Sequence, residues 1–171
     1  MKSLLIFLVI NFCSCKAQQV YPLNTYPDDV QPGSYLKDLN NELDFYVGTW
    51  KANFQDKTIT LSVTKQLHKP FEMLGKNYFQ DQLIVRYEIK STNGTLLESS
   101  LNRAFTDQND IKLLIESSGV EASGEILNLL FAGGNCSVGI GDIVLKKINN
   151  TQFYWNYYPG TTTRNDISCP S

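Results

Sequence analysis

Few residues in this sequence could do chemistry. His68 is its only histidine, and so the one side chain whose ordinary pKa suits proton transfer near neutrality. A general base needs a positioned partner and access to substrate. His68, next to Lys69-Pro70, shows neither and reads as a surface residue. No Gly-x-Ser-x-Gly elbow is present. A zinc site usually needs three or four protein ligands, and no His-rich set supplies them. The stretch Gly133 to Gly141 has the glycines of a phosphate cradle but no lysine at the required position. It suits a loop needing positive φ around Cys136. Asp107, Asn109 and Asp110 lack the glycine and distal glutamate of a calcium loop and read as a solvated turn. No catalytic, metal or cofactor site is expected, and the chain does not read as an enzyme.

Aromatic side chains offer binding instead. The run Phe153-Tyr154-Trp155-Asn156-Tyr157-Tyr158 is divided by strand alternation. Phe153, Trp155 and Tyr157 project to one side, where they read as core. With Trp50 and Tyr87 they could also line an interior pocket for a small apolar molecule. Tyr154, Asn156 and Tyr158 project to the other side, as a contact surface for a glycan or protein.

The N-terminus carries Lys2 and an apolar run from Leu4 to Ile10, far short of the roughly 20 residues that cross a bilayer as a helix. It reads as an export signal over residues 1–17. Two processing routes fit: cleavage after Ala17, or acylation of Cys15 in a lipobox-like Phe12-Cys13-Ser14-Cys15. Localisation is then secreted or periplasmic, or the cell envelope with the membrane reached only through the lipid. After signal removal, Cys136 and Cys169 remain as an even pair in an oxidising compartment, and a disulfide is expected. The 15 basic side chains less Lys2 and Lys16 leave 13 against 17 acidic ones, a net charge of −4. That balance argues against nucleic-acid binding, which rests on clustered Lys and Arg.

These groups need elements to position them. Pro22, Pro27 and Pro32 make residues 18–33 an extended tether. Ser34 can cap a short helix with Leu36, Leu39 and Leu43 on one stripe, ending near Tyr46. From Gly48 the period changes to two, and eight strands follow. The first two are Trp50 to Phe54 and Ile59 to Val63, with a turn at Asp56. The third is Leu83 to Ile89, joined through Ser91-Thr92-Asn93-Gly94 to a fourth over Thr95 to Ala104. The fifth holds Ile111, Leu113 and Ile115, with a turn at Ser118-Gly119. The last three are Glu125 to Phe131, Asp142 to Ile148 and, past Asn149-Asn150, Thr151 to Tyr158. Residues 34–171 are therefore expected to form one all-β domain, an eight-stranded antiparallel up-and-down barrel after a short N-terminal helix. A two-sheet sandwich is the alternative.

A short helix entering Tyr46-Val47-Gly48-Thr49-Trp50-Lys51 resembles the opening of calycin barrels, the lipocalin, fatty-acid-binding and avidin-like families. That resemblance implies a small ligand inside the barrel, with Gly-x-Trp at the closed end. The chain lacks the helical pair after strand one and the terminal Arg-x-Tyr of fatty-acid-binding proteins; Arg164 stands where a lipocalin's Trp-packing base would be sought. The whole mature chain also resembles a family of uncharacterised small exported Gram-negative bacterial proteins. Long connections, His68 to Gln80 and Ala132 to Gly141, fall at the barrel end holding Cys136 and Cys169. A bond there would close 34 residues, contributing up to about 4 kcal/mol on the chain-entropy model. The expected function is an exported or lipid-anchored binding or surface-interaction protein of unknown ligand; the alternative is a lipocalin-like carrier.

Overall fold

Alternation from Gly48 onward does build strands, and the computed structural model adds two more in front of them. It describes residues 17–105, 111–121, 123–134 and 138–160. The strands are β1 Val20–Pro22, β2 Tyr35–Lys37, β3 Gly48–Phe54, β4 Lys57–Met73, β5 Lys76–Ser91, β6 Leu96–Ser99, β7 Ile115–Val120, β8 Ile126–Phe131, β9 Gly141–Asn149 and β10 Gln152–Pro159. All ten belong to one sheet curled into a half-barrel, and the only helical turns among the described residues are 3-10, at Pro27–Asp29 and Asp44–Tyr46.

The expected closed eight-stranded barrel is not formed, and one sheet does not make a sandwich. The cause lies at β5. One of its edges pairs with β4 along the whole hairpin, from Lys57↔Ser91 to Met73↔Lys76. Its other edge is shared by β2 in parallel at Tyr35↔Phe79, by β7 at Val85↔Ile115 and by β6 at Glu88↔Ser99. Because β6 and β7 use the same edge, simple up-and-down order breaks, and the sheet continues β7-β8-β9-β10. Strand β3 pairs only with β4, and β10 only with β9. Among the described residues, neither β3 nor β10 is paired on its other side. They approach through side chains: the Trp50 and Phe153 rings meet edge to face at 4.6 Å, backed by Tyr46 and Phe45 at 5.5 and 6.5 Å from Phe153.

The expected short helix is also absent, for local reasons. Tyr35 and Leu36 are drawn into the sheet beside β5. Asp38 then accepts the Glu42 and Leu43 N–H groups at 2.7 and 3.2 Å and the Lys65 ammonium at 2.7 Å. Its carboxylate thus satisfies amides that a helix would have bonded, and Asn41 takes φ 57°, outside helical space. Leu36 and Leu43 are buried while Leu39 is exposed, so the three leucines do not share one face.

Residues His68 to Gln80, expected as a long loop, continue the β4–β5 hairpin to a tight turn at Leu74-Gly75, where φ is 53° and 73°. A bulge between Gln66 and Lys69 absorbs the extra residues. Residues 18–33 contribute β1 and place Leu23 and Val30 in the core, at 2% and 1% exposure. Their prolines set turns: Pro22 O accepts both the N–H and Oγ1 of Thr25, and Pro27 opens the 3-10 turn. Lys76 then holds that turn by donating to the Pro27, Asp28 and Val30 carbonyls. One continuous core joins this segment to Leu83, Val85, Leu127, Leu129 and Leu145 of the sheet.

Candidate functional site

The aromatic residues singled out by alternation mostly follow it. Phe153 and Trp155 are half-buried against the core, whereas Tyr154, Asn156 and Tyr158 are exposed on the opposite face. Trp50 and Tyr87 both flank Leu61 in the sheet register, and Tyr87 is buried, its hydroxyl donating to Glu98 at 2.5 Å. Tyr157 departs from its set: it is exposed, and its hydroxyl donates to Gly139 O. Trp50, Tyr87, Phe153 and Trp155 pack into or around the core, Tyr157 meets Phe131 edge-on at 5.9 Å, and none of the five lines the hollow beside β6 or the groove beside residues 23–27. Cys15, Cys136 and Cys169 fall outside the described residues, as do Asp107, Asn109, Asp110 and Arg164.

His68 sits in the β4 bulge with φ 52°. Its ring stacks on Phe79 at 4.1 Å, meets Tyr35 edge-on at 4.6 Å and bonds Gln18 Oε1 through Nε2 at 2.9 Å. The carboxylate near it, Asp81, takes the His68 backbone N–H at 3.0 Å, the Asp38 N–H at 3.0 Å and the Tyr35 hydroxyl at 2.5 Å. This is a structural clip among β2, β4 and β5, and the partners of the imidazole among the described residues are Phe79, Tyr35 and Gln18. Burial first, then the hydrogen bond to Asp81 and its charge, push the Tyr35 hydroxyl from 10.0 up to about 12. The folded chain thus holds that proton more tightly than the unfolded one. Its stabilising effect is complete below pH 10 and is lost as pH rises through about 12. Urea midpoints should fall across that window, and Tyr35→Phe should flatten the fall.

The groove best suited to a ligand lies elsewhere. It has a volume of about 460 Å³ and opens between residues 23–27 and the β5-β7-β8 part of the sheet. That size lies within the roughly 300–1,000 Å³ of small-molecule sites. Leu23, Leu36, Tyr78, Gln80 and Val120 line it, all of them buried residues. Gln80 Nε2 donates to Ser118 O at 3.4 Å, and Asn24, Asn128 and Glu121 add polar groups to the walls. A β-bulge between Ser117 and Gly119 shapes one side, and a Cβ added at Gly119 would meet nothing within 4 Å. A smaller hollow of about 290 Å³ beside β6 is lined by Leu96 and Leu101 together with Glu88, Ser99, Asn102 and Arg103, and its Glu88 is already paired with Lys90 at 2.6 Å. Apolar walls with a few converging polar groups single out the larger groove.

Sequence reasoning missed the groove because Gln80 was assigned to a loop. One signal was present: Gln80-Asp81-Gln82 is a polar triplet set between Tyr78-Phe79 and Leu83-Ile84-Val85. All three are buried. Among the described residues no group of three or more His, Cys, Asp or Glu could hold a metal ion, and no helix is long and apolar enough to cross a membrane.

Compared with known proteins, the chain matches no curated protein and no solved structure. Residues 1–158 match a family described as of unknown function, DUF6705, and the chain belongs to that family.

Proposed function

We propose that this chain is a non-catalytic binding protein, exported or lipid-anchored, that holds a small, largely apolar molecule in the groove between its N-terminal segment and β5-β7-β8. The observation that carries this reading is a groove of about 460 Å³ lined by the buried Leu23, Leu36, Tyr78 and Val120, with the Gln80 amide among them. Burying apolar ligand surface there contributes roughly 25 cal/mol per Å², and the amide fixes orientation. The apolar run near Lys2 and the lipobox-like sequence before Lys16 support export, and an acidic mature chain supports a role away from nucleic acids. Binding without catalysis fits a lone histidine whose ring is occupied by Phe79, Tyr35 and Gln18.

A second reading, contact with a glycan or protein through Tyr154, Asn156 and Tyr158, is favoured by their exposure on a strand that has no charged residue and, among the described residues, pairs on one side only. The two are separated by N-phenyl-1-naphthylamine, a neutral probe that brightens in apolar surroundings. Wild type should enhance its emission, and Gly119→Trp, which places an indole where the groove is open, should abolish the enhancement. Enhancement that survives Gly119→Trp but disappears in Tyr154→Ala/Tyr158→Ala would move the site to β10.

A further inference from the structure

The charges around the groove point to its ligand class. Among the described residues, Glu121 is the only charged side chain lining it. Asp28 and Asp29 follow the lining residue Pro27 in the 3-10 turn. Lys76, beside that turn, donates to the Pro27, Asp28 and Val30 carbonyls, at 3.1, 2.9 and 3.4 Å. Its donors are engaged by the backbone, and among the described residues none that lines the groove offers a cation to a carboxylate or phosphate. Two tyrosines, Tyr26 and Tyr78, complete the walls, Tyr26 being 72% exposed. A carboxylate with aromatic faces and apolar walls is the chemistry that receives an organic cation.

We infer that the groove selects small apolar amines over matched neutral molecules, and neutral molecules over carboxylates. This rests on the groove being the binding site, and it reverses the preference of a fatty-acid carrier. An ammonium would seat its apolar body on Leu23, Leu36 and Val120 with its charged end toward Glu121 at the edge. Glu121 is an exposed residue, so the selectivity is that of a solvent-accessible pair, about two- to fivefold in Kd rather than orders of magnitude. It should weaken as salt is added.

The test uses three probes of one shape: 1-naphthylmethylamine, 1-naphthylmethanol and 1-naphthoate, titrated calorimetrically into the full mature chain at low salt. Amine should bind about two- to fivefold tighter than alcohol, and alcohol tighter than carboxylate. Glu121→Gln should bring the amine to the alcohol's affinity without changing the alcohol's, which separates loss of charge from loss of fold. Gly119→Trp should remove binding of all three. Equal affinities, or a carboxylate preference, together with sensitivity to Gly119→Trp would overturn the selectivity while leaving the groove in place. Absence of binding by all three, or binding indifferent to Gly119→Trp, would overturn both.

Discussion

Replacing Asp81 with alanine should cost about 3–4 kcal/mol of folding stability, among the larger single-residue effects in the chain. Its carboxylate is buried and accepts three hydrogen bonds from two segments: the Tyr35 hydroxyl on β2 and the Asp38 N–H just past it, and the His68 N–H in the β4 bulge. Hydrogen bonds to a charged acceptor contribute roughly 1.5–3 kcal/mol each, and a buried donor left unpaired costs a further 1–3. Water entering the vacated space offsets part of that sum. Asp81→Asn keeps one acceptor oxygen but turns an NH₂ toward a donor, so it should lose roughly half as much. Urea unfolding measures both. Since β2 brings Leu36 to the groove, the alanine variant should also speed amide exchange at Tyr35 and Leu36 before the rest of the sheet is affected. A loss below about 1 kcal/mol, with exchange at β2 unchanged, would mean that the clip does not hold the N-terminal segment.

That clip also shows what could be read in advance. Alternation and turn chemistry are local, and four of the strands they mark, β3, β8, β9 and β10, begin and end within two residues of their expected bounds. The expected fourth strand, by contrast, stops at Ser99 short of Ala104, and the expected fifth starts only at Ile115, because Leu113 takes φ 66° in a turn. Asn93-Gly94 and Asn149-Asn150 turn the chain as their types require, with Gly94 at φ 86°. Where a local signal had two meanings, tertiary context chose. Ser118-Gly119 looked like a turn and is next to a bulge inside β7; the chain reverses later, at Gly124, with φ 72°. Leu36 and Leu43 looked like a helical stripe, but Leu36 pairs opposite Gln80 while Leu43 is buried next to a 3-10 turn. The bulge in β4 hid the continuity of a 17-residue strand, because Leu67 and His68 interrupt the period. Closure was unreadable for another reason. It depends on whether β6 or β7 takes the edge of β5, and they share it.

The groove was illegible for the same physical reason at longer range. Leu23 to Pro27 and Ser118 to Asn128 are about ninety residues apart in sequence, and no periodicity links segments that meet only when β1 and β2 dock. Pro22, Pro27 and Pro32 suggested an extended tether over residues 18–33, yet Leu23 and Val30 are among the most buried of the described residues. Proline forbids a helix there but not a packed, turn-rich segment. The N-terminal segment is therefore a wall of the candidate site, and the proposed binding depends on its docking.

Phe153→Ala should cost about 2–3 kcal/mol and loosen the seam between β3 and β10, at or just below the low end for a phenylalanine truncation because the ring is only half-buried. No strand pairing links β3 to β10. What spans the gap is the Phe153 ring against Trp50, Tyr46 and Phe45, with Lys147 placed over Phe45 at 4.4 Å. Trp50 is fixed from one side by its indole N–H, which donates to Tyr46 O at 2.8 Å, and from the other by Phe153. Without Phe153 its emission should shift to the red, and the β3 amides should exchange faster while β8 and β9 keep their protection. Tyr154→Ala, one residue on, removes an exposed ring from the opposite face and should stay within about 0.5 kcal/mol. The contrast between neighbours measures the alternation directly. Equal losses at the two positions would mean that β10 does not divide the aromatic run into a seam face and a solvent face.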